Sequence, residues 1–178
     1  MSVIHRGLFL GRFQPFHNGH LNVIKEMLAS DDIDEVLIGI GSAQEGYTHK
    51  NPFTASERFE MISAVIAQEC ETDKAIHIIP VMDIGSNYMY MSYLRTILPT
   101  FHVYYGSNDL MLRLCENSGI DAVSVTYNND ITRSGTWIRK NIQDNLLDWR
   151  DFVPEAVTKY IIGNARLYQW TEGQICYK

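Results

Sequence analysis

His17 and His20 stand three residues apart in the run Gly11-Arg12-Phe13-Gln14-Pro15-Phe16-His17-Asn18-Gly19-His20, directly after the apolar stretch Gly7-Leu8-Phe9-Leu10. The apolar stretch reads as a buried strand, and a helix is expected to start near Asn18 or Gly19. Gly11 at the strand end lets backbone approach a ligand closely. The helix mouth, with Gly19 in its first turn, offers unpaired N–H groups and a positive dipole end to an anion. Phosphate is the expected guest, with Arg12 as a nearby cation. Imidazoles at such a mouth donate hydrogen bonds to phosphoryl oxygens without a permanent charge, so they strengthen as negative charge builds in a transition state. The plain alternative is one surface histidine and one helix-capping histidine. Strand, glycine, arginine, turn-fixing proline and two histidines in one loop favour chemistry over that alternative.

A second anion cradle is expected at Ser134-Gly135-Thr136-Trp137-Ile138-Arg139. Ser134 caps a helix from Gly135 to about Asp144, Gly135 exposes backbone N–H groups, Thr136 adds a hydroxyl and Arg139 a cation one turn in. Here the alternative is an ordinary capped surface helix. Asp83, Asn87 and Tyr90 follow the third expected strand, with Asn87 and Tyr90 on one face of the next helix. They offer amide recognition and a stacking surface; a cap at Asp83 and a core role for Tyr90 are the competing readings.

The elements that position these residues alternate along the whole chain. Strands are expected at residues 7–10, 36–40, 76–81, 101–105 and 122–125. Between them come helical patterns: Leu21, Ile24, Met27 and Leu28 on one face; a capping box at Thr54 to Glu57 followed by Phe59, Ile62, Val65 and Ile66; Asn87 to Leu98 before Pro99; and Leu110 to Glu116. Such alternation implies an α/β, Rossmann-like, doubly wound parallel sheet of about five strands with helices on both faces. Ligands of that fold bind outside the carboxyl ends of the strands, so the loops after Leu10, Ile40, Val81, Tyr105 and Val125 should share one rim. Residues 1–178 are expected as a single domain closed by a C-terminal helix and tail at about 148–178, with Gly163 as a helix stop and the end containing Trp170 against a partner subunit.

Composition sets the remaining bounds. The 178 residues are 46% hydrophobic and 20% charged, enough for a real core. A formal net charge of −6 and a pI near 5.4 argue against a nucleic-acid or anionic-membrane surface. Cys70, Cys115 and Cys176 lack paired or metal-ligand spacing and read as reduced thiols, which with the absence of an export signal points to a cytoplasmic protein.

With these motifs in hand, the chain resembles the nucleotidyltransferases with a His-x-Gly-His signature and, within them, the archaeal-type nicotinamide-nucleotide adenylyltransferases. The resemblance rests on the run Gly11 to His20, the Gly41-Ser42-Ala43-Gln44 loop, the run Asn51 to Arg58, and Ser134-Gly135-Thr136 with Arg139, and it extends from about Arg6 to about Pro154. It implies transfer of AMP from ATP to nicotinamide mononucleotide, giving NAD and pyrophosphate by in-line attack with no covalent enzyme intermediate. It implies that His17 and His20 contact the ATP phosphates, with His20 on the α-phosphoryl group. Gly11, Arg12, Gly19, Lys50, Arg139, Ser134, Gly135 and Thr136 would serve the phosphates, Asn108 the adenosine, and Asp83, Asn87 and Tyr90 the mononucleotide. Mg²⁺ would be held mainly by phosphates, with no protein metal ligands, and a homo-oligomer is expected.

Three positions depart from the family pattern. Lys50 replaces an arginine and gives a point charge instead of a fork. Tyr90 replaces a tryptophan, and Ser107 a glycine beside Asn108. The alternative functions are pantetheine-phosphate adenylyltransferase, which shares fold and reaction type, and a noncatalytic adenine-nucleotide sensor.

Overall fold

Five strands form one sheet in the order β3-β2-β1-β4-β5, every neighbouring pair parallel: β1 (Arg6–Gly11), β2 (Glu35–Ile40), β3 (Ala75–Pro80), β4 (Val103–Gly106) and β5 (Asp121–Ser124). The computed structural model describes residues 3–126 and 134–164. Among the described residues six helices accompany the strands: α1 (Asn18–Ala29), α2 (Ala55–Glu69), α3 (Asn87–Ile97), α4 (Asp109–Asn117), α5 (Gly135–Gln143) and α6 (Glu155–Gly163), with a 3₁₀ turn at Asp148–Phe152. This is the expected Rossmann-like α/β architecture. The central strand β1 pairs with both β2 and β4, so the chain winds outward in two directions from it.

The described residues group into two compact units. One is drawn from Met1–Arg12, Asn22–Ala43 and Thr72–Thr126, the other from Phe13–Leu21, Gln44–Glu71 and Tyr127–Lys178.

The first unit holds the sheet. Leu8, Leu37 and Tyr104 on one face bury against Met91 and Leu94 of α3, Met111 and Cys115 of α4, and Phe101 and Ile120. Each such side chain withdrawn from water contributes roughly 1.5–3 kcal/mol, an upper figure because unfolded chains are themselves partly compact. The opposite face is served by α1. A Cβ added at Gly7 would lie 2.8 Å from Ile33 Cδ1 and 2.9 Å from Met27 Cε, so glycine there makes room for both side chains. Helices thus lie on both faces within this unit.

In the second unit α2 and α6 pack together. Thr54 and Glu57 close the expected capping box, with the Thr54 hydroxyl accepting from the Glu57 N–H and the Glu57 carboxylate accepting from the Thr54 N–H. Tyr160 of α6 donates to Glu60 of α2 at 2.5 Å.

Differences from expectation fall at element ends. β4 starts at Val103 because Phe101 turns into the core before pairing begins. The last helix runs through Gly163 to a cap at Asn164, so Gly163 is not the stop. Cys70 and Cys115 form no disulfide among the described residues, and Cys115 is buried in the core. The expectations for Trp170, Cys176, the tail and the loop after Val125 concern residues wholly or partly outside the described ones.

Candidate active site

The carboxyl ends of β1 to β4 open on a cleft of about 450 Å³ in the first unit. Leu10, Gly11 and Arg12 enter it from β1, Gly41 and Ser42 from β2, Asp83 and Ile84 from the loop after β3, and Asn108 from the loop after β4. Asn87 and Tyr90 join from the first turn of α3, one helical turn apart as their spacing predicts. The cleft therefore gathers Gly11, Arg12, Asp83, Asn87, Tyr90 and Asn108.

Local geometry explains these placements. Ser86 occupies the N-cap position of α3, three residues after Asp83, and Asp83 lines the cleft. Tyr90 packs against the core cluster, as its core reading expects, and also lines the cleft. Burial pushes its phenol up to about 12, with the Asp83 carboxylate adding to the shift. Asn108 caps α4, its Oδ1 accepting from the Met111 N–H at 3.0 Å. Sequence reasoning placed the loop after Ile40 on this rim without giving Ser42 a role of its own, and it missed Tyr104 in the lining. Ser42 is buried with φ of +49°, a conformation that side chains rarely adopt and that commonly marks functional loops.

The histidine loop belongs to the second unit. His17 is the residue before α1, and its carbonyl accepts from the His20 and Leu21 N–H groups at 2.9 and 3.2 Å. Its own N–H donates to Nδ1 of His20 at 3.2 Å. That is one half of a capping box, the third helical residue reaching back to the N–H before the helix, with imidazole in place of the usual glutamate. The two rings stack with centroids 3.5 Å apart and planes 20° from parallel. Phe13 meets His20 edge-on at 4.8 Å, and Phe16 lies at 5.4 Å. Burial lowers His17 to about 4, and burial together with its neighbour holds His20 well below the usual imidazole range. Both rings are neutral at pH 7. With Nδ1 of His20 accepting, its proton resides on Nε2, which is then a donor. Gly19 is buried in the same turn.

The second cradle is also in this unit. Ser134 caps α5 as expected, accepting from the Trp137 N–H at 3.2 Å. Arg139 is 7% exposed; its Nη1 donates to the Gln14 carbonyl at 2.7 Å and its Nη2 to Thr136 Oγ1 at 3.1 Å. Gly135 sits so close that an added Cβ would lie 2.9 Å from the Gln14 oxygen. His17, Gly19 and His20 lie on the loop and helix start that follow Gln14, and Gly135, Thr136 and Arg139 gather at the Gln14 carbonyl. Lys50 is exposed in a small loop where Thr48 and Asn51 bond each other, and no described contact joins it to the histidines. Sequence reasoning gave no role to Gln14, whose side chain pairs with the backbone of Phe53, or to Arg58, which is fully buried and donates to the carbonyls of Thr54 and Glu45.

Among the described residues no group of three or more His, Cys, Asp or Glu could hold a metal ion. None of their helices is long and apolar enough to cross a membrane.

The profile of the cytidylyltransferase-like family matches residues 8–141. A nicotinamide-nucleotide adenylyltransferase of Methanospirillum hungatei is 41% identical over 156 residues, covering 88% of this chain and 86% of that relative. One from Archaeoglobus fulgidus is 40% identical over 159 residues, covering 88% and 90%. In fold, the chain resembles a bifunctional NMN adenylyltransferase/ADP ribose pyrophosphatase from Francisella tularensis solved with AMP and a manganese ion. The TM-score is 0.72 at 20% identity over 95% of this chain, which spans about half (52%) of that longer protein. A nicotinic acid mononucleotide adenylyltransferase of Plasmodium falciparum gives 0.67 at 14% identity, covering 94% of this chain and 98% of that one.

Proposed function

Since the chain belongs to the cytidylyltransferase-like family and, within it, to the nicotinamide-nucleotide adenylyltransferases, we propose that it joins ATP and nicotinamide mononucleotide into NAD with release of pyrophosphate. An oxygen of the mononucleotide 5′-phosphate attacks the α-phosphorus of ATP. The bond from that phosphorus to the bridging oxygen of the β-phosphate breaks on the opposite side, and pyrophosphate carries away the electron pair. The nucleophile is already an anion, so no base has to activate it. Catalysis of this kind is positioning and charge stabilisation.

The observation that carries this reading is the hydrogen bond from the His17 N–H to Nδ1 of His20. It commits the ring to donating from Nε2, the role required beside an α-phosphoryl oxygen that gains charge. His17 shares the phosphate end, with Gly19 at the helix mouth. Arg139, Thr136, Ser134 and Gly135 serve the departing pyrophosphate, and Gly11, Arg12 and Lys50 the remaining phosphate charge. Asn108 contacts the adenosine; Asp83, Asn87 and Tyr90 receive the nicotinamide side. Mg²⁺ supplied with ATP would be held mainly by the phosphates, where it would neutralise charge.

The deciding experiment supplies ATP and Mg²⁺ with nicotinamide mononucleotide, nicotinate mononucleotide or phosphopantetheine in turn. NAD and stoichiometric pyrophosphate from the first are expected. Turnover only with phosphopantetheine, or ATP binding without pyrophosphate release, would overturn the reading.

A further inference from the structure

We propose that Gln14 is the positioning residue of the histidine loop: its side-chain amide, paired with the backbone of Phe53, and its carbonyl, gripped by Arg139, fix the turn from which His17 and His20 project.

The need for such a device is written in the backbone. Phe13 has φ of +51°, the left-handed region that a bulky residue enters only under constraint. Such a conformation persists where its surroundings over-determine it. Gln14 supplies that constraint from two directions. Its Nε2 donates to the Phe53 carbonyl at 2.8 Å while its Oε1 accepts from the Phe53 N–H at 3.0 Å. Only an amide of this length does both at once, because a carboxylate has no donor and an aliphatic chain has neither group. The residue is 3% exposed, so water cannot substitute for either bond.

From the other side Arg139 donates to the Gln14 carbonyl at 2.7 Å, and Gly135 lets α5 come within backbone contact of that oxygen. Three residues further along, His17 stands just before α1 and presents its N–H to His20. The phenyl rings of Phe13 and Phe16 that shield His20 flank Gln14 in sequence. A turn released at Gln14 loses the shield and the tautomer-setting bond together.

The test reads the histidines themselves. In Gln14→Met and Gln14→Glu proteins without ligand, NMR titration should show the imidazole pKa values of His17 and His20 rising toward 6.5, whereas in the unaltered protein burial holds His17 at about 4 and His20 well below the usual imidazole range. With ATP and nicotinamide mononucleotide, kcat should fall about 10- to 100-fold, a partial loss of transition-state donation, while KM for ATP stays within about threefold. Ile62→Val, in the core of α2, serves as a control for lost stability and should leave both titrations in place. Gly135→Ala presses on the same carbonyl from α5 and should shift the titrations even where the Gln14 variants do not fold. Histidines that titrate as in the unaltered protein in every folded variant would overturn the proposal. The kinetic arm rests on the adenylyltransferase reading; a titration shift in a protein inactive toward nicotinamide mononucleotide would remove that reading and leave the role of Gln14 standing.

Discussion

The backbone N–H of His17 donates to Nδ1 of His20 while the two rings stack 3.5 Å apart. One hydrogen bond thus caps a helix and selects a tautomer, and the two roles can be separated by substitution.

His20→Gln keeps a side chain at the third helical position able to reach back to the His17 N–H, whereas His20→Ala does not. Alanine should cost about 1 kcal/mol of stability and glutamine much less. Both should lose on the order of a hundred- to a thousandfold in kcat, with modest change in ATP affinity, because neither carries the imidazole donor. Chemical denaturation beside single-turnover kinetics measures the two effects. Near-normal turnover in either variant would remove His20 from the chemistry.

Acidification should weaken the ligand-free protein. Burial holds His17 at about 4 when folded, against 6.5 for an ordinary imidazole. Between these values the unfolded chain binds the proton and the folded one does not, so stability is full above pH 6.5 and declines as pH falls toward 4. The loss attributable to His17 is on the order of 3 kcal/mol, and His20, depressed by burial and by His17, adds in the same direction. Denaturation midpoints across that range test this; a His17→Asn protein should show a shallower decline.

Arg139→Ala removes the grip on Gln14 and the contact with Thr136 together. Weaker binding of ATP and slower turnover are expected jointly. Arg139→Lys should recover only part of either, since an ammonium cannot span both acceptors as the planar fork does. An unchanged ATP titration for the alanine protein would contradict the assignment.

Tyr90→Ala should raise KM for nicotinamide mononucleotide by several-fold and leave KM for ATP nearly unchanged, because the ring lines the cleft beside Asp83 and Asn87. A change confined to ATP would place the ring with the other substrate. Steady-state kinetics with each substrate varied decides between them.

Much of this was legible in the chain. Strand and helix order followed from apolar periodicity, because buried parallel strands such as Val36 to Ile40 leave a continuous hydrophobic run, and Thr54 with Glu57 announced a helix start by residue type alone. The cleft residues Asp83, Asn87 and Tyr90 were found because parallel strands send their following loops to one rim. Two features stayed hidden for a shared reason. Gln14 reads as a spacer in a motif until Phe53, 39 residues away, supplies the backbone it pairs with. Arg58 stands at the end of the run Asn51 to Arg58 with no role of its own until its complete burial is seen. Partners distant in sequence leave no periodic trace. Gly135 was read as exposing N–H groups, but its close approach to the Gln14 oxygen is a reason for glycine that spacing alone does not carry.

Strand β3 forms one border of the sheet and ends in Pro80. The Val81 N–H points toward β2, where it meets the Ile40 carbonyl at 2.8 Å, so the ring nitrogen of Pro80, one residue earlier, faces the outer side of the border. A proline there has no hydrogen to lend to a newcomer. A sixth strand arriving from another molecule at this border would find its ladder interrupted at Pro80, which blunts extension of the sheet on that side.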